Sequence, residues 1–225
     1  MIDYDVKGNL AKIRASLPEG VRLVAVSKFH GDEYLMAAYD EGQRIFGESQ
    51  EQELRGKHER LPKDIEWHFI GHLQTNKVKY IASYISMIEA VDSIRLMREI
   101  NRQAAKHNRT IDILLELRIA SEDTKFGLSP DEMRHLLAEG EWRTLQNVRI
   151  RGLMAMASFT DDEKQIRAEF ETAASMFNEI KAQYFTDADY FDCRSWGMSD
   201  DYHLACQRHS NMVRIGTTIF GPRTY

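Results

Sequence analysis

Apolar and polar positions alternate along the chain with two different periods. Runs rich in β-branched and other apolar residues occupy positions 23–27, 45–46, 67–70, 87–91, 113–119, 148–156, 190–193 and 212–217, and they read as strands. Between them, residues 32–41, 50–60, 75–83, 93–106, 129–138, 161–184 and 199–207 carry apolar side chains at helical spacing within polar surroundings. Several of these helices have recognisable starts: Thr75 before NKVKYI, Ser129-Pro130-Asp131-Glu132 with proline at the first helical position, and Ser199-Asp200-Asp201. Eight strands separated by helices predict a parallel α/β fold, and the length suits a compact (β/α)8 TIM barrel somewhat below the typical ~250 residues. The alternative, a doubly wound open sheet, is weakened because no G-x-G-x-x-G turn follows the first strand. With no Gly/Ser-rich or Pro-rich linker, residues 1–225 are expected to form a single domain.

Composition narrows the function classes. The 225 residues include 30 Lys plus Arg against 35 Asp plus Glu, a formal charge of −5. Nucleic-acid affinity comes from concentrated basic residues, so this balance argues against a general nucleic-acid binder but leaves room for a local anion pocket. No uncharged apolar run approaches the ~18 residues of a membrane span, and the opening MIDYDVKGNLAKIRASL lacks the basic start and apolar middle of a signal peptide. A soluble, cytoplasmic protein is expected. Cys193 and Cys206 make no disulfide framework and show no zinc-ligand spacing, so they are expected to be reduced and structural.

In a barrel of this kind chemistry gathers at the C-terminal ends of the strands. Those ends fall at Lys28, Gly47-Glu48-Ser49, Gly71-His72, Asp92, residues 122–125, Ser158, residues 195–199 and residues 214–217. Lys28 closes the run LVAVSK. An ordinary lysine, with a pKa near 10.4, keeps only about one amine in 10³ unprotonated at neutral pH. Desolvation or a neighbouring cation would free the amine to form a Schiff base with an aldehyde; the plain alternative is a solvated lysine where strand meets loop. Gly197-Met198-Ser199-Asp200 joins a strand to a helix start and offers backbone N–H groups and a hydroxyl to an anion. Gly216-Thr217-Thr218 does the same after the last strand, its glycine allowing backbone to approach a ligand. These neighbouring ends are the usual place for a phosphate in a barrel. Arg214 shares a strand face with Gly216 and, if buried, needs an acceptor. A pyridine nitrogen, a phosphate or a carboxylate would serve, as would an ion pair with an interior Glu89 or Glu116.

Other polar residues carry less. His68 and His72 share a strand face, but no third ligand accompanies them, so no metal site is expected. His72 is expected to make a structural hydrogen bond at a strand end and His68 to pack beside Trp67. Lys77 and Lys79 are expected to be solvated on a helix. Lys125 is a candidate for holding phosphate or accepting an aldehyde in second place. Met154, Met156 and Phe159 are expected to line the barrel.

An imine-forming lysine, a phosphate cup and an arginine suited to an acceptor nitrogen together describe pyridoxal 5′-phosphate (PLP). The segments AVSK (25–28), FGE (46–48), WHFIGHLQTNK (67–77), VDS (91–93), TKFG (124–127), IRGLM (150–154), GMSD (197–200) and VRIGT (213–217) occur in this order. Through them the chain, from 21 to 223, resembles the pyridoxal phosphate homeostasis protein family (YggS/PROSC type), whose barrel is similar to the N-terminal domain of alanine racemase. The resemblance implies that Lys28 is the Schiff-base lysine, that Ser199, Gly216 and Thr217 surround the phosphate with Met198 among the cofactor-binding residues, and that Arg214 meets the pyridine nitrogen. Ser49 stands where the family usually has Asn, which would shorten any ring contact. Trp196 stands where the family favours a smaller run and is expected to reshape the cofactor mouth.

An arginine at the pyridine nitrogen leaves the ring neutral, whereas an aspartate would keep it protonated and make it a strong electron sink. That disfavours transamination and still permits racemisation. Stereoinversion needs a second acid or base on the opposite cofactor face. In enzymes of the alanine racemase type it comes from a β domain after the barrel, which a chain ending at Tyr225 is expected to lack. The resemblance therefore implies a monomeric, non-catalytic carrier that limits the free aldehyde and hands PLP to apo-enzymes. Two alternatives stay open: a small PLP-dependent amino-acid racemase, and a cofactor-free aldolase forming its Schiff base at Lys28 with a phosphorylated sugar.

Overall fold

Eight parallel strands close into a barrel in chain order in the computed structural model, which describes residues 4–120 and 126–222. They are β1 (Arg22–Val26), β2 (Ile45–Glu48), β3 (Glu66–Phe69), β4 (Met87–Val91), β5 (Ile111–Arg118), β6 (Val148–Met156), β7 (Cys193–Ser195) and β8 (Met212–Ile215). The strand β8 returns to β1 with Leu23 opposite Val213 and Ala25 opposite Ile215, so the sheet has no open edge and the doubly wound alternative is set aside. Around it run helices α1 (Val6–Ser16), α2 (Asp32–Asp40), α3 (Glu51–Arg60), α4 (Ile94–Lys106), α5 (Pro130–Glu139), α6 (Glu163–Tyr184), α7 (Tyr202–Cys206) and α8 (Thr217–Phe220). The predicted capping box at α5 is present: Ser129 Oγ accepts from Glu132 N–H while the Glu132 carboxylate accepts from Ser129 N–H.

Alternate strand residues face opposite ways. Phe46, Trp67, Ile88, Leu115, Leu153 and Val213 face outward and join the apolar stripes of the helices in the main core. Val24, Met87, Leu114, Met154, Cys193 and Met212 fill the barrel interior as a second cluster. The Cys193 thiol is pushed up to about 12 by its burial there. Gly152 marks a bulge between β5 and β6, where the register shifts after Ile113. A Cβ at Gly152 would lie 1.8 Å from Cys193 O, so only glycine lets β6 approach β7.

Four segments depart from the sequence expectation. The opening residues form α1, whose Val6, Leu10 and Ile13 are buried and whose N-terminus is capped by the Asp5 side chain accepting from Gly8 N–H (2.9 Å). The helix expected over 75–83 is a 3-10 turn, Thr75–Tyr80. The seventh strand lies at Cys193–Ser195 rather than 190–193, because Phe191 belongs to an aromatic stack with Phe177 and Phe185 beneath the barrel wall. The helix expected from Ser199 begins only at Tyr202. Among the described residues no helix is long and apolar enough to cross a membrane.

Candidate functional site

Two residues further along the interior faces, toward the C-terminal ends, the apolar filling gives way to polar groups. Met87 is followed by Glu89, Leu114 by Glu116, Cys193 by Ser195 and Met212 by Arg214, all of them buried. Arg214 Nη1 donates to Ser195 O (2.7 Å) and Ser195 Oγ (2.6 Å), and Nη2 donates to Ala155 O (2.9 Å). Ser195 Oγ donates to Glu89 Oε2 (2.6 Å), and Arg214 Nη1 lies 3.7 Å from the same oxygen. His68 donates through Nδ1 to the other oxygen, Glu89 Oε1 (2.6 Å). Burial opposes the Glu89 charge, but His68, Arg214 and Ser195 together hold its carboxyl below the ordinary value.

His68 therefore points into the barrel, while Trp67 faces outward against Phe46. This corrects the expected packing of His68 beside Trp67: neighbours on a strand cannot share a face. His72 stacks on Phe126 (ring centroids 4.1 Å), with Nδ1 3.6 Å from Asp92 Oδ2, an ion-pair distance rather than a hydrogen bond. Lys77 Nζ lies 3.4 Å from Glu51 Oε2. Among the described residues no three His, Cys, Asp or Glu side chains are grouped to hold a metal ion.

Above the polar layer a cavity of about 270 Å³ opens at the strand ends. Its wall brings together Lys28, Met198, Ser199, Arg214, Gly216 and Thr217, along with His30, Asp200, Met156 and Phe159. Lys28 lies just past the end of β1. The loop carrying Met198 and Ser199 turns at Gly197 (φ 98°), where a Cβ would meet Ala205 Cβ at 2.6 Å. It is fixed by Asp201, whose Oδ1 accepts from Met198 N–H (2.6 Å). Burial raises the Asp201 carboxyl against that hydrogen bond. Gly216 N–H donates to Ser199 Oγ (3.4 Å), joining the two strand ends. Of the α8 amides, those of Ile219 and Phe220 donate to Gly216 O (both 2.9 Å), which leaves only the Thr217 and Thr218 N–H groups without a carbonyl of this turn to meet. A Cβ at Gly216 would stand 2.9 Å from Val26 O, so the close approach to β1 also calls for glycine at this cavity-lining position.

Three expectations change. Ser49 lines a neighbouring cavity with Glu51, His72 and Lys77, not the one holding Lys28. The strand β2 ends on Glu48, and the following turn packs Ser49 against Gly71, where a Cβ would stand 2.7 Å from Ser49 Cβ. Trp196 is fully buried in the main core, donates to Arg208 O (3.2 Å), and is absent from the cavity wall. Phe159 is 89% exposed at the cavity rim rather than barrel lining, whereas Met154 is buried in the barrel interior. The Lys125 expectation falls outside the described residues.

The sequence reading missed a buried charge cluster beneath Lys28. Lys57 Nζ donates to Glu48 Oε1 (2.8 Å), Glu53 Oε1 (2.7 Å) and Ser27 O (2.8 Å), and Ser27 Oγ donates to Glu48 Oε1 (2.6 Å). Burial pushes the Glu48 carboxyl up to about 7, with Lys57 pulling the other way. The available signal was the four-residue spacing of Glu53 and Lys57, which places both on one helix face.

Comparisons with known proteins agree with this architecture. The family model for the N-terminal domain of alanine racemase matches residues 4–224. The chain is 36% identical over 233 residues to the pyridoxal phosphate homeostasis protein of Pasteurella multocida, covering 98% of each. It is 34% identical over 238 residues to that of Escherichia coli, again covering 98% of each. PipY of Synechococcus elongatus, solved with PLP bound, is similar at TM-score 0.87 and 32% identity over 96% of this chain and 100% of PipY. An alanine racemase of Clostridium difficile shares the fold at TM-score 0.74 and 14% identity, over 98% of this chain and 57% of the racemase. The chain belongs to the pyridoxal phosphate homeostasis protein family, within the wider family of the alanine racemase N-terminal domain.

Proposed function

We propose that this protein is a non-catalytic carrier of pyridoxal 5′-phosphate in vitamin B6 homeostasis. Lys28 holds the aldehyde as a Schiff base, which limits the free cofactor, and the cofactor is passed on to PLP-dependent apo-enzymes. In forming the bond the Lys28 amine adds to the aldehyde carbon and one water leaves. The observation that carries this reading is the convergence of Lys28, Ser199, Arg214, Gly216 and Thr217 on one cavity wall. It is supported by relatives named for PLP homeostasis and by PipY, which was solved with PLP bound. The donor set suits the group: an amine for the aldehyde, hydroxyls and helix-start amides for the phosphate, and a guanidinium for a neutral ring nitrogen. The interior carboxylate nearest Arg214, Glu89, accepts from His68 and Ser195 and lies 3.7 Å from the guanidinium, so it is committed to the barrel interior rather than to the cavity wall.

Freshly purified protein is expected to show a violet absorption band that borohydride removes, with the reduced cofactor mapped to a peptide containing Lys28. A Lys28→Ala protein that keeps the covalent adduct overturns the assignment. A second reading, a small amino-acid racemase, draws on His30 and Asp200, two titratable side chains on the same wall. Solvent deuterium entering an amino acid's α-carbon, and lost in Lys28→Ala, would favour it. Colourless protein that cleaves a phosphorylated sugar would favour the aldolase.

A further inference from the structure

Lys28 sits in a tight turn whose backbone is tied down on both sides. Ser27 O accepts from His30 N–H (3.1 Å), which places Lys28 and Phe29 at the two central positions. Phe29 has φ 67°, in the left-handed region that a turn normally fills with glycine. A non-glycine residue there costs on the order of 1 kcal/mol or more and persists where its surroundings over-determine it. Here the surroundings are charged. Ser27 O also accepts from Lys57 Nζ (2.8 Å), and Ser27 Oγ donates to Glu48 Oε1 (2.6 Å). On the other side Phe29 N–H donates to Glu53 Oε1 (2.6 Å), and Lys57 joins both carboxylates. None of Glu48, Glu53 and Lys57 lines the cavity that Lys28 enters. A buried ion cluster often adds little stability over an apolar filling of the same shape, so stability alone does not account for three charges gathered at this turn.

We propose that Glu48, Glu53 and Lys57 are positioning residues that hold the Ser27–Phe29 backbone in its strained turn and thereby aim Lys28 into the cavity. This rests on the reading of Lys28 as the aldehyde-binding lysine. Lys57 is the hub, and Glu53 fixes the strained residue itself. Glu53 is the better probe because its side chain is partly exposed and its loss still leaves Lys57 paired with Glu48.

Two variants separate geometry from charge: Glu53→Ala removes the acceptor for Phe29 N–H, and Glu53→Gln keeps an acceptor without the charge. In protein stripped of cofactor, amide hydrogen exchange at Phe29 is expected to speed up about tenfold or more in Glu53→Ala, the loss of one hydrogen bond to a charged acceptor. Glu53→Gln is expected to restore most of the protection. Titration with PLP, followed by the Schiff-base band, is expected to show about tenfold weaker binding in Glu53→Ala and a shifted pH profile of the band, both rescued by Glu53→Gln. Lys57→Met is expected to weaken binding further. Unchanged Phe29 exchange together with unchanged affinity in Glu53→Ala overturns the proposal. So does Glu53→Gln behaving like Glu53→Ala, since the effect would then be one of charge. Wild-type protein that forms no Schiff base overturns the cofactor reading instead, and the exchange measurement then still decides whether the tether holds the turn.

Discussion

Glu116 offers a direct test of how the barrel interior handles charge. It lies two residues beyond Leu114 on the inward face of β5, only 3% exposed, and its Oε2 has no hydrogen-bond partner among the described residues. Burial pushes its carboxyl from 4.5 up to about 7; Asp92 adds to the rise and Arg214 opposes it. The sign follows from proton counting. Between these two values the folded state binds more protons than the unfolded state, so this group's contribution to stability falls as pH rises through the window and levels off above it. At 1.36 kcal/mol per pKa unit, the loss between pH 5 and pH 8 is about 2–3 kcal/mol. Glu116→Gln keeps the shape and removes the titration. Urea unfolding followed by circular dichroism at both pH values should show the variant gaining on wild type by about 2–3 kcal/mol on going from pH 5 to pH 8. Glu48, also pushed up to about 7, is present in both proteins and cancels in the comparison. A difference between the two proteins that stays constant with pH would refute the claim that Glu116 is held as a neutral acid.

Other expectations follow from single contacts. Gly152→Ala puts a Cβ 1.8 Å from Cys193 O at a φ of 152°, so it should cost on the order of 4 kcal/mol or prevent folding, and an unchanged melting temperature would contradict the close β6–β7 approach. Arg214→Met removes the donors to Ser195 O and Ala155 O and leaves Glu89 with His68 and Ser195 alone. It should destabilise by about 3 kcal/mol or more in urea, with a smaller penalty when combined with Glu89→Gln. Ser129→Ala deletes the capping box of α5 and should cost about 1 kcal/mol in the same assay. Phe159→Ser, at an 89% exposed side chain, should change stability by less than about 0.5 kcal/mol, and a larger loss would mean the ring is packed.

The architecture was legible because seven of the eight strand positions carry the apolar runs that burial on both faces requires; β4 and β6 even begin and end where the pattern places them. The exception is β7, whose three residues are Cys193, Arg194 and Ser195. Its polarity reflects the interior network, since Ser195 must meet both Glu89 and Arg214. Sequence patterning fails where a strand serves a polar site rather than the core. The opposite failure hides α1: Val6, Leu10 and Ile13 recur at helical spacing, but they are only three buried side chains in an 11-residue helix that is otherwise largely polar. At the site, Lys28 and the two glycine-containing ends could be placed from strand-end logic alone. Ser49 could not, because one turn of loop decides which of two neighbouring cavities it enters. The tether beneath Lys28 joins residues 27 to 57 through space, and only the spacing of Glu53 and Lys57 hinted at it.

A phosphate bound at these strand ends, as proposed, would feel every negative charge around it. At an effective dielectric of about 20, one bare carboxylate roughly 10 Å from a dianion costs about 3 kcal/mol. Four of the buried acids, Glu89, Glu116, Glu48 and Asp201, show how such charge is answered locally. Glu89 is ionised but held by Arg214, Ser195 and His68. Glu116 has no cation in contact and is pushed toward its neutral form. Glu48 is joined to Lys57 and Ser27, and Asp201 to Met198 N–H, with burial raising both. The field at the mouth is then set by the charged side chains on the cavity wall itself, Lys28 and Arg214 against the exposed Asp200. This is how a chain with a formal charge of −5 can present a site for an anion. Removing Arg214 would take away one of the groups that hold the Glu89 carboxyl below its ordinary value, so the charge one layer down and the guanidinium on the cavity wall are linked.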